Sequence, residues 1–154
     1  MKKLALLALL AVLLAGCKIM PPGFDPDYGI PPIGARTVQE IGLWLSTHIT
    51  YTSDCSAHRV AGYWQTPAET YQHRTGDCVD FALLMMYMIR HEPQLGGFPE
   101  FVEGYAPCGY HAWVDYKGAQ YESETGDFVS SVYDCTVRID YSSAMWRAEI
   151  YHHE

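Results

Sequence analysis

Basic residues are scarce. Ten Lys and Arg stand against 18 Asp and Glu in 154 residues, a formal net charge of −8. Nucleic-acid binding needs a cationic surface, and this chain has no surplus from which to build one. Long hydrophobic runs are scarce too: the extended apolar stretch at residues 4–14 is too short to span a bilayer comfortably. Internal repeats and low-complexity tracts are absent, so a single non-repeating domain with one core is expected. Cysteine is limited to five residues. Tyrosine is abundant at twelve, with four Trp, which fits either a sugar- or peptide-facing groove or aromatic packing in a small β-rich core.

Lys2 and Lys3 precede the apolar stretch, and Leu14-Ala15-Gly16-Cys17 closes it. This resembles the lipobox of bacterial lipoproteins. The resemblance implies cleavage before Cys17 and a diacylglycerol on its thiol, so residues 1–16 are expected to be a signal peptide. A lipid bilayer, held through acylated Cys17, is then an expected partner. Lys18 stands where an Asp would signal inner-membrane retention. The expected location is therefore the bacterial cell envelope, with the outer membrane slightly favoured in a Gram-negative cell. Without Lys2 and Lys3, eight basic residues face 18 acidic ones, a mature charge of about −10 by subtraction. Residues 17–36 interleave Pro21, Pro22, Pro26, Pro31 and Pro32 with Gly23, Gly29 and Gly34, and they read as a tether. The domain is expected over 37–154.

Thr37-Val38-Gln39-Glu40 is a capping box, and Val38, Ile41, Leu45 and Ile49 follow a helical period, predicting a helix over 38–50. Thr66-Pro67-Ala68-Glu69 is a second capping box with Pro at the first helical position, opening a short helix to about residue 73. Asp77 is a good N-cap for a third helix over 78–90. That segment is apolar nearly all round, the mark of a buried central element. Asp77 and Asp80 are expected mainly to cap it. Strands are predicted over 101–106, 110–116 and 119–125, with Lys117-Gly118 as a hairpin turn, and over 136–141. Residues 143–151 are compatible with helix or strand. The expected class is α+β, with N-terminal helices and a buried central helix packed on an antiparallel β-sheet.

The chemistry concentrates in Thr75-Gly76-Asp77-Cys78-Val79-Asp80-Phe81-Ala82 and His111-Ala112-Trp113. A Cys that opens a helix sits where the macrodipole favours an ionised sulfur. An imidazole beside it can take the proton and return it. A two-residue turn at 117–118 pairs His111 with Glu124, and alternation puts His111, Trp113, Glu122 and Glu124 on one side. One of these acids would orient the His. Pairing by register favours Glu124.

Gly76-Asp77-Cys78-x-Asp80-Phe81-Ala82, followed by His111-Ala112-Trp113, a Gly-containing turn and an acid, resembles the transglutaminase-like cysteine protease superfamily. Trp64-Gln65-Thr66-Pro67-Ala68-Glu69-Thr70 resembles the lead-in helix of its bacterial members. The likeness covers about residues 60–126. It implies a papain/transglutaminase-like fold, with Cys78 as nucleophile and His111 as base and then acid. Glu122-Ser123-Glu124-Thr125 resembles a Glu-Pro-Gln-Thr pattern that selects Glu122 as the acid, with Glu124 as the alternative. The implied reaction is acyl transfer through a thioester, most simply hydrolysis of a peptide or protein substrate, with no cofactor. The Cys78 backbone N–H, with Trp64 or Gln65, would supply oxyanion donors.

If Cys78 is the nucleophile, three other cysteines remain beyond Cys17. Cys55 with Cys135 is the expected disulfide, and Cys108 is a candidate second thiol near His111. A metal site through Cys78, His111, Cys108 and the terminal histidines matches no familiar zinc spacing, so none is expected. The competing reading is a non-catalytic envelope lipoprotein that uses a degenerate domain of this kind as a binding or scaffolding module.

Overall fold

A computed structural model describes residues 20–53, 62–107, 109–129 and 133–151. Helix α1 spans Val38–His48 and strand β1 Thr50–Tyr51. Helix α2 spans Pro67–His73, strand β2 Thr75–Gly76 and helix α3 Cys78–His91. Four strands follow: β3 (Glu100–Ala106), β4 (Gly109–Tyr116), β5 (Ala119–Tyr121) and β6 (Asp134–Asp140). Helix α4 (Tyr141–Tyr151) ends the described chain, so the ambiguous C-terminal segment is helical.

Each of the first three helices starts at a capping box, with Thr37, Thr66 and Asp77 accepting from the N3 backbone while the N3 carboxylate reaches back. Helix α1 ends at His48, two residues early, because Ile49 turns extended to lead into β1. β1 pairs parallel to β2. That short ladder aligns the chain just before α3.

Helix α3 is buried from Asp80 to Ile89. Val38, Ile41 and Leu45 of α1 and Tyr141, Ala144, Met145 and Ala148 of α4 share the core with it. Ala112, Val114 and Tyr116 of β4, with Phe101 of β3, supply the sheet's side of that core. Each fully buried large apolar side chain stabilises the fold by about 1.5–3 kcal/mol. The sheet order is β5-β4-β3-β6, antiparallel throughout. This is the α+β arrangement expected from the sequence.

Two expectations need correction. The strand predicted over 119–125 stops at Tyr121. Glu122 N–H donates to the Asp127 carbonyl at 2.8 Å and Gly126 N–H to the Glu122 carbonyl at 2.7 Å, closing a turn that returns the chain so that Tyr121 bridges Phe128. The described part of the expected tether is packed on the domain. Phe24 meets Trp146 edge-on at 5.2 Å, Asp25 pairs with Arg90 at 2.8 Å, and Tyr28 N–H donates to Tyr87 Oη at 3.2 Å. Ile33 N–H donates to Glu92 at 2.5 Å, and Ile30 and Ala35 are buried. Pro and Gly keep this segment out of helix and sheet, but its interspersed apolar side chains still find the core. Cys17 and residues 1–16 lie outside the described residues. Among the described residues, no helix is long and apolar enough to cross a membrane.

Candidate active site

The motif Gly76-Asp77-Cys78-Val79-Asp80 has a local logic. Asp77 Oδ1 accepts from the N–H groups of Val79 at 2.9 Å and Asp80 at 3.3 Å. Those bonds satisfy donors of the first turn and leave Cys78 as the first helical residue. Cys78 carries a free, half-buried thiol.

Asp80 does more than cap. Its side chain takes Asp77 N–H at 3.0 Å on Oδ2, Gln65 N–H at 2.9 Å on Oδ1 and Gln65 Nε2 at 2.8 Å on Oδ2. Burial, then the Asp77 charge, pushes its carboxyl up to about 7, against these three N–H donors that favour the ionised form. A Cβ on Gly76 would lie 2.6 Å from the Asp80 Cβ, so the glycine makes room for this acid.

Gln65 was an expected oxyanion donor. Both its amide hydrogens are committed elsewhere, to Asp80 and to the Thr75 carbonyl at 3.1 Å. It therefore braces the loop before α3 instead of facing a substrate. Trp64 is buried, tilted against Phe101 at 5.0 Å with the Arg147 guanidinium 4.3 Å over its ring. Among the described residues, the Cys78 backbone N–H has no hydrogen-bond acceptor, as expected for the first position of a helix.

His111 sits near the start of β4, opposite Gly104 of β3. Its Nε2 lies 2.9 Å from Glu122 Oε1 and 2.8 Å from Glu122 Oε2. The two side chains are only 11% and 17% exposed. The Cys78 side chain acts on the same imidazole. Its influence, then the bond to Glu122, pushes the imidazole up to about 10, with burial opposing. The structure thus joins His111 to Glu122, with Cys78 acting on the same imidazole.

Glu124 lies beside that set and not across from His111 as register predicted. β5 leaves the ladder after Tyr121 pairs with Val114, so no ladder pair sets Glu124 opposite His111. Burial, then the Glu122 charge, holds the Glu124 carboxyl above the usual range. One donor atom each from His111, Glu122 and Glu124 lies within 4.8 Å of the others. The imidazole and Glu122 use those atoms on each other, which suits proton handling.

The turn that carries Glu122 is seated by two glycines. A Cβ on Gly42 of α1 would lie 2.1 Å from the Gly126 nitrogen and 2.5 Å from the Thr125 carbonyl carbon. Gly126 has φ +78°, and a Cβ there would fall 2.9 Å from the Gln39 Cα. Bare backbone on both sides lets the turn lie flat on α1. Sequence reasoning missed this pair. The available signal was a glycine at 42 inside a strong helical period. Tyr133, which contacts both Glu122 and His111, gave no sequence signal at all.

Cys135 carries a free, exposed thiol; the expected Cys55–Cys135 disulfide falls on Cys55, outside the described residues. Cys55 and Cys108 lie outside the described residues, as do His152 and His153.

Residues 30–124 match the sequence pattern of the transglutaminase-like superfamily, and the chain belongs to that family. Among solved structures it is similar to LapG of Legionella pneumophila, with a TM-score of 0.51 at 13% identity. The match covers 66% of this chain and 62% of that one. An EGTA-treated form of LapG gives a TM-score of 0.50 at the same 13% identity, over 66% and 61% of the two chains. At that identity the likeness concerns the fold, and this chain spans just over three fifths of LapG's length. No curated protein matches the chain.

Proposed function

We propose that this protein is an envelope-anchored thiol acyltransferase that acts mainly as a hydrolase of peptide or amide bonds. Cys78 Sγ attacks the carbonyl carbon, and His111 holds the thiol proton. His111 then delivers that proton to the leaving amine, and a thioester on Cys78 remains. Water, deprotonated by His111, attacks the thioester and releases the acid and the free thiol. Glu122 fixes the imidazole and supports its charge while the proton resides there. The Cys78 N–H at the head of α3 is the candidate donor to the oxyanion. An amine in place of water would give a cross-link by the same steps.

The observation that carries this reading is the His111–Glu122 pair at 2.8–2.9 Å, with the Cys78 side chain acting on the same imidazole. Superfamily membership supports it. Anchoring through acylated Cys17 rests on the lipobox-like Leu14-Ala15-Gly16-Cys17.

Two experiments test the proposal. Iodoacetamide should label Cys78 at neutral pH, and His111→Ala should slow that labelling. Hydrolysis of a peptide library should disappear in Cys78→Ala. Equal labelling of the native protein and His111→Ala, with no cleavage by either, would favour a non-catalytic binding module. For the anchor, radiolabelled palmitate should enter the native protein and not Cys17→Ser.

A further inference from the structure

We propose that Tyr133 is a positioning residue of this site: its hydroxyl and ring together hold the Glu122 carboxylate on His111 and keep Glu124 from taking its place. The inference rests on the thiol–imidazole reading above and adds a residue that neither the motifs nor the superfamily match contain.

Tyr133 immediately precedes β6, on a different segment from the strand that carries His111. Its Oη donates to Glu122 Oε2 at 3.3 Å. Its ring stands edge-on to His111, with centroids 6.3 Å apart and planes at 80°. The same ring stands edge-on to Trp113 at 5.2 Å and 76°. Trp113 gives that contact a rigid base. It is fully buried, and its Nε1 donates to Gln120 Oε1 at 3.0 Å. A Cβ on Gly104 would fall 2.9 Å from its indole, so the glycine lets it sit close on β3. Gln120 is two residues before Glu122 on the same strand and turn. One aromatic stack therefore spans β4, the β5 turn and the approach to β6.

The arrangement answers a problem the site poses. His111 has two acids within reach, Glu122 and Glu124, with Asp77 acting electrostatically on the second. Among the described residues, only Glu122 has a hydroxyl donor from outside the turn. At 3.3 Å the bond is long for O–H···O, so its value lies in direction more than in strength. It orients one carboxylate toward Nε2.

The test uses the full chain with Tyr133→Phe and Tyr133→Leu. Phe keeps the edge contacts and loses the hydroxyl; Leu loses both, and circular dichroism checks that each folds. The His111 ring is titrated by NMR, and Cys78 alkylation by iodoacetamide is followed by mass spectrometry. Tyr133→Phe should lower the His111 midpoint and slow alkylation about threefold. Glu124→Gln should be nearly silent in the native background and should lower the midpoint further in Tyr133→Phe, where Glu124 is free to substitute. A native midpoint and a native Cys78 rate in Tyr133→Phe would overturn the role of Tyr133. Failure of the parent reading looks different: His111→Ala would then leave Cys78 alkylation unchanged. The His111 midpoint in Tyr133→Phe still decides the tyrosine's role in that case.

Discussion

Gln65 and Asp80 are joined twice in the interior: the Asp80 carboxylate takes both the backbone N–H of Gln65 at 2.9 Å and its side-chain amide at 2.8 Å. Both residues are at most 1% exposed. The clamp ties the segment entering α2 to the first turn of α3, two residues from Cys78. Every bond to this carboxylate comes from an N–H, so an oxygen is required at each end. Asp80→Asn would turn one end into a donor facing donors. It should cost about 2 kcal/mol or more, read as a lower urea midpoint, because buried N–H groups lose their acceptor. A native midpoint in that variant would mean the clamp contributes nothing.

The two acids near His111 should separate cleanly by activity. Glu122→Gln removes the charge that supports the imidazolium and should lower Cys78-dependent turnover about 100-fold, within the usual range for acid–base groups. Glu124→Gln should change it less than about threefold, since Glu124 is not bonded to the ring. Kinetics on a peptide cleaved by the native protein decides between them. The opposite ranking would return the role to Glu124.

A Gly→Ala change inside a helix ordinarily stabilises it by about 1 kcal/mol. At Gly42 the sign should reverse. The added methyl would meet the Gly126 backbone at 2.1–2.2 Å, and backbone cannot swing aside as a flexible side chain can. The expected cost is about 1–3 kcal/mol of overpacking. Because the displaced turn carries Glu122, the His111 titration midpoint should fall as well. Thermal melts and NMR of the same variant check both effects.

Stability should decline on the alkaline side. His111 is held up to about 10 from 6.5, so the folded chain binds this proton more tightly than the unfolded chain does. Its contribution is complete below about 6.5 and is lost as the pH rises to about 10. Asp80, raised from 3.8 to about 7, acts with the same sign in an earlier window: its contribution is lost as pH rises through that range. Urea unfolding at a series of pH values should show the alkaline decline in the native protein and a flatter curve in His111→Gln. Identical slopes would contradict the shift at His111.

Local signals made much of the fold legible. The capping boxes at Thr37 and Thr66 and the N-cap at Asp77 placed three helix starts, because a cap is a contact between residues three apart in sequence. The unbroken apolar run of α3 announced a helix buried on all sides. Lys117-Gly118 set the register of the hairpin, with Tyr116 facing Ala119. Cys78 and His111 were readable as a pair because one opens a helix and the other lies near the start of a strand.

Chain order could not say which acid would serve. Strand alternation carried forward from the hairpin pointed to Glu124, but β5 ends after three residues, where the Glu122–Asp127 and Gly126–Glu122 bonds turn the chain. That turn lies where it does because Gly42, more than eighty positions earlier, leaves α1 bare beneath Gly126. Residues 17–36 read as a tether because Pro and Gly suppress regular structure, yet docking depends on whether Ile30 and Ala35 meet apolar surface, which composition does not encode. Periodicity and capping are short-range physics and were written in the residues themselves. The partner of His111, the commitment of Gln65 to Asp80 and the seat of Tyr133 depend on contacts between distant segments, and only packing decided them.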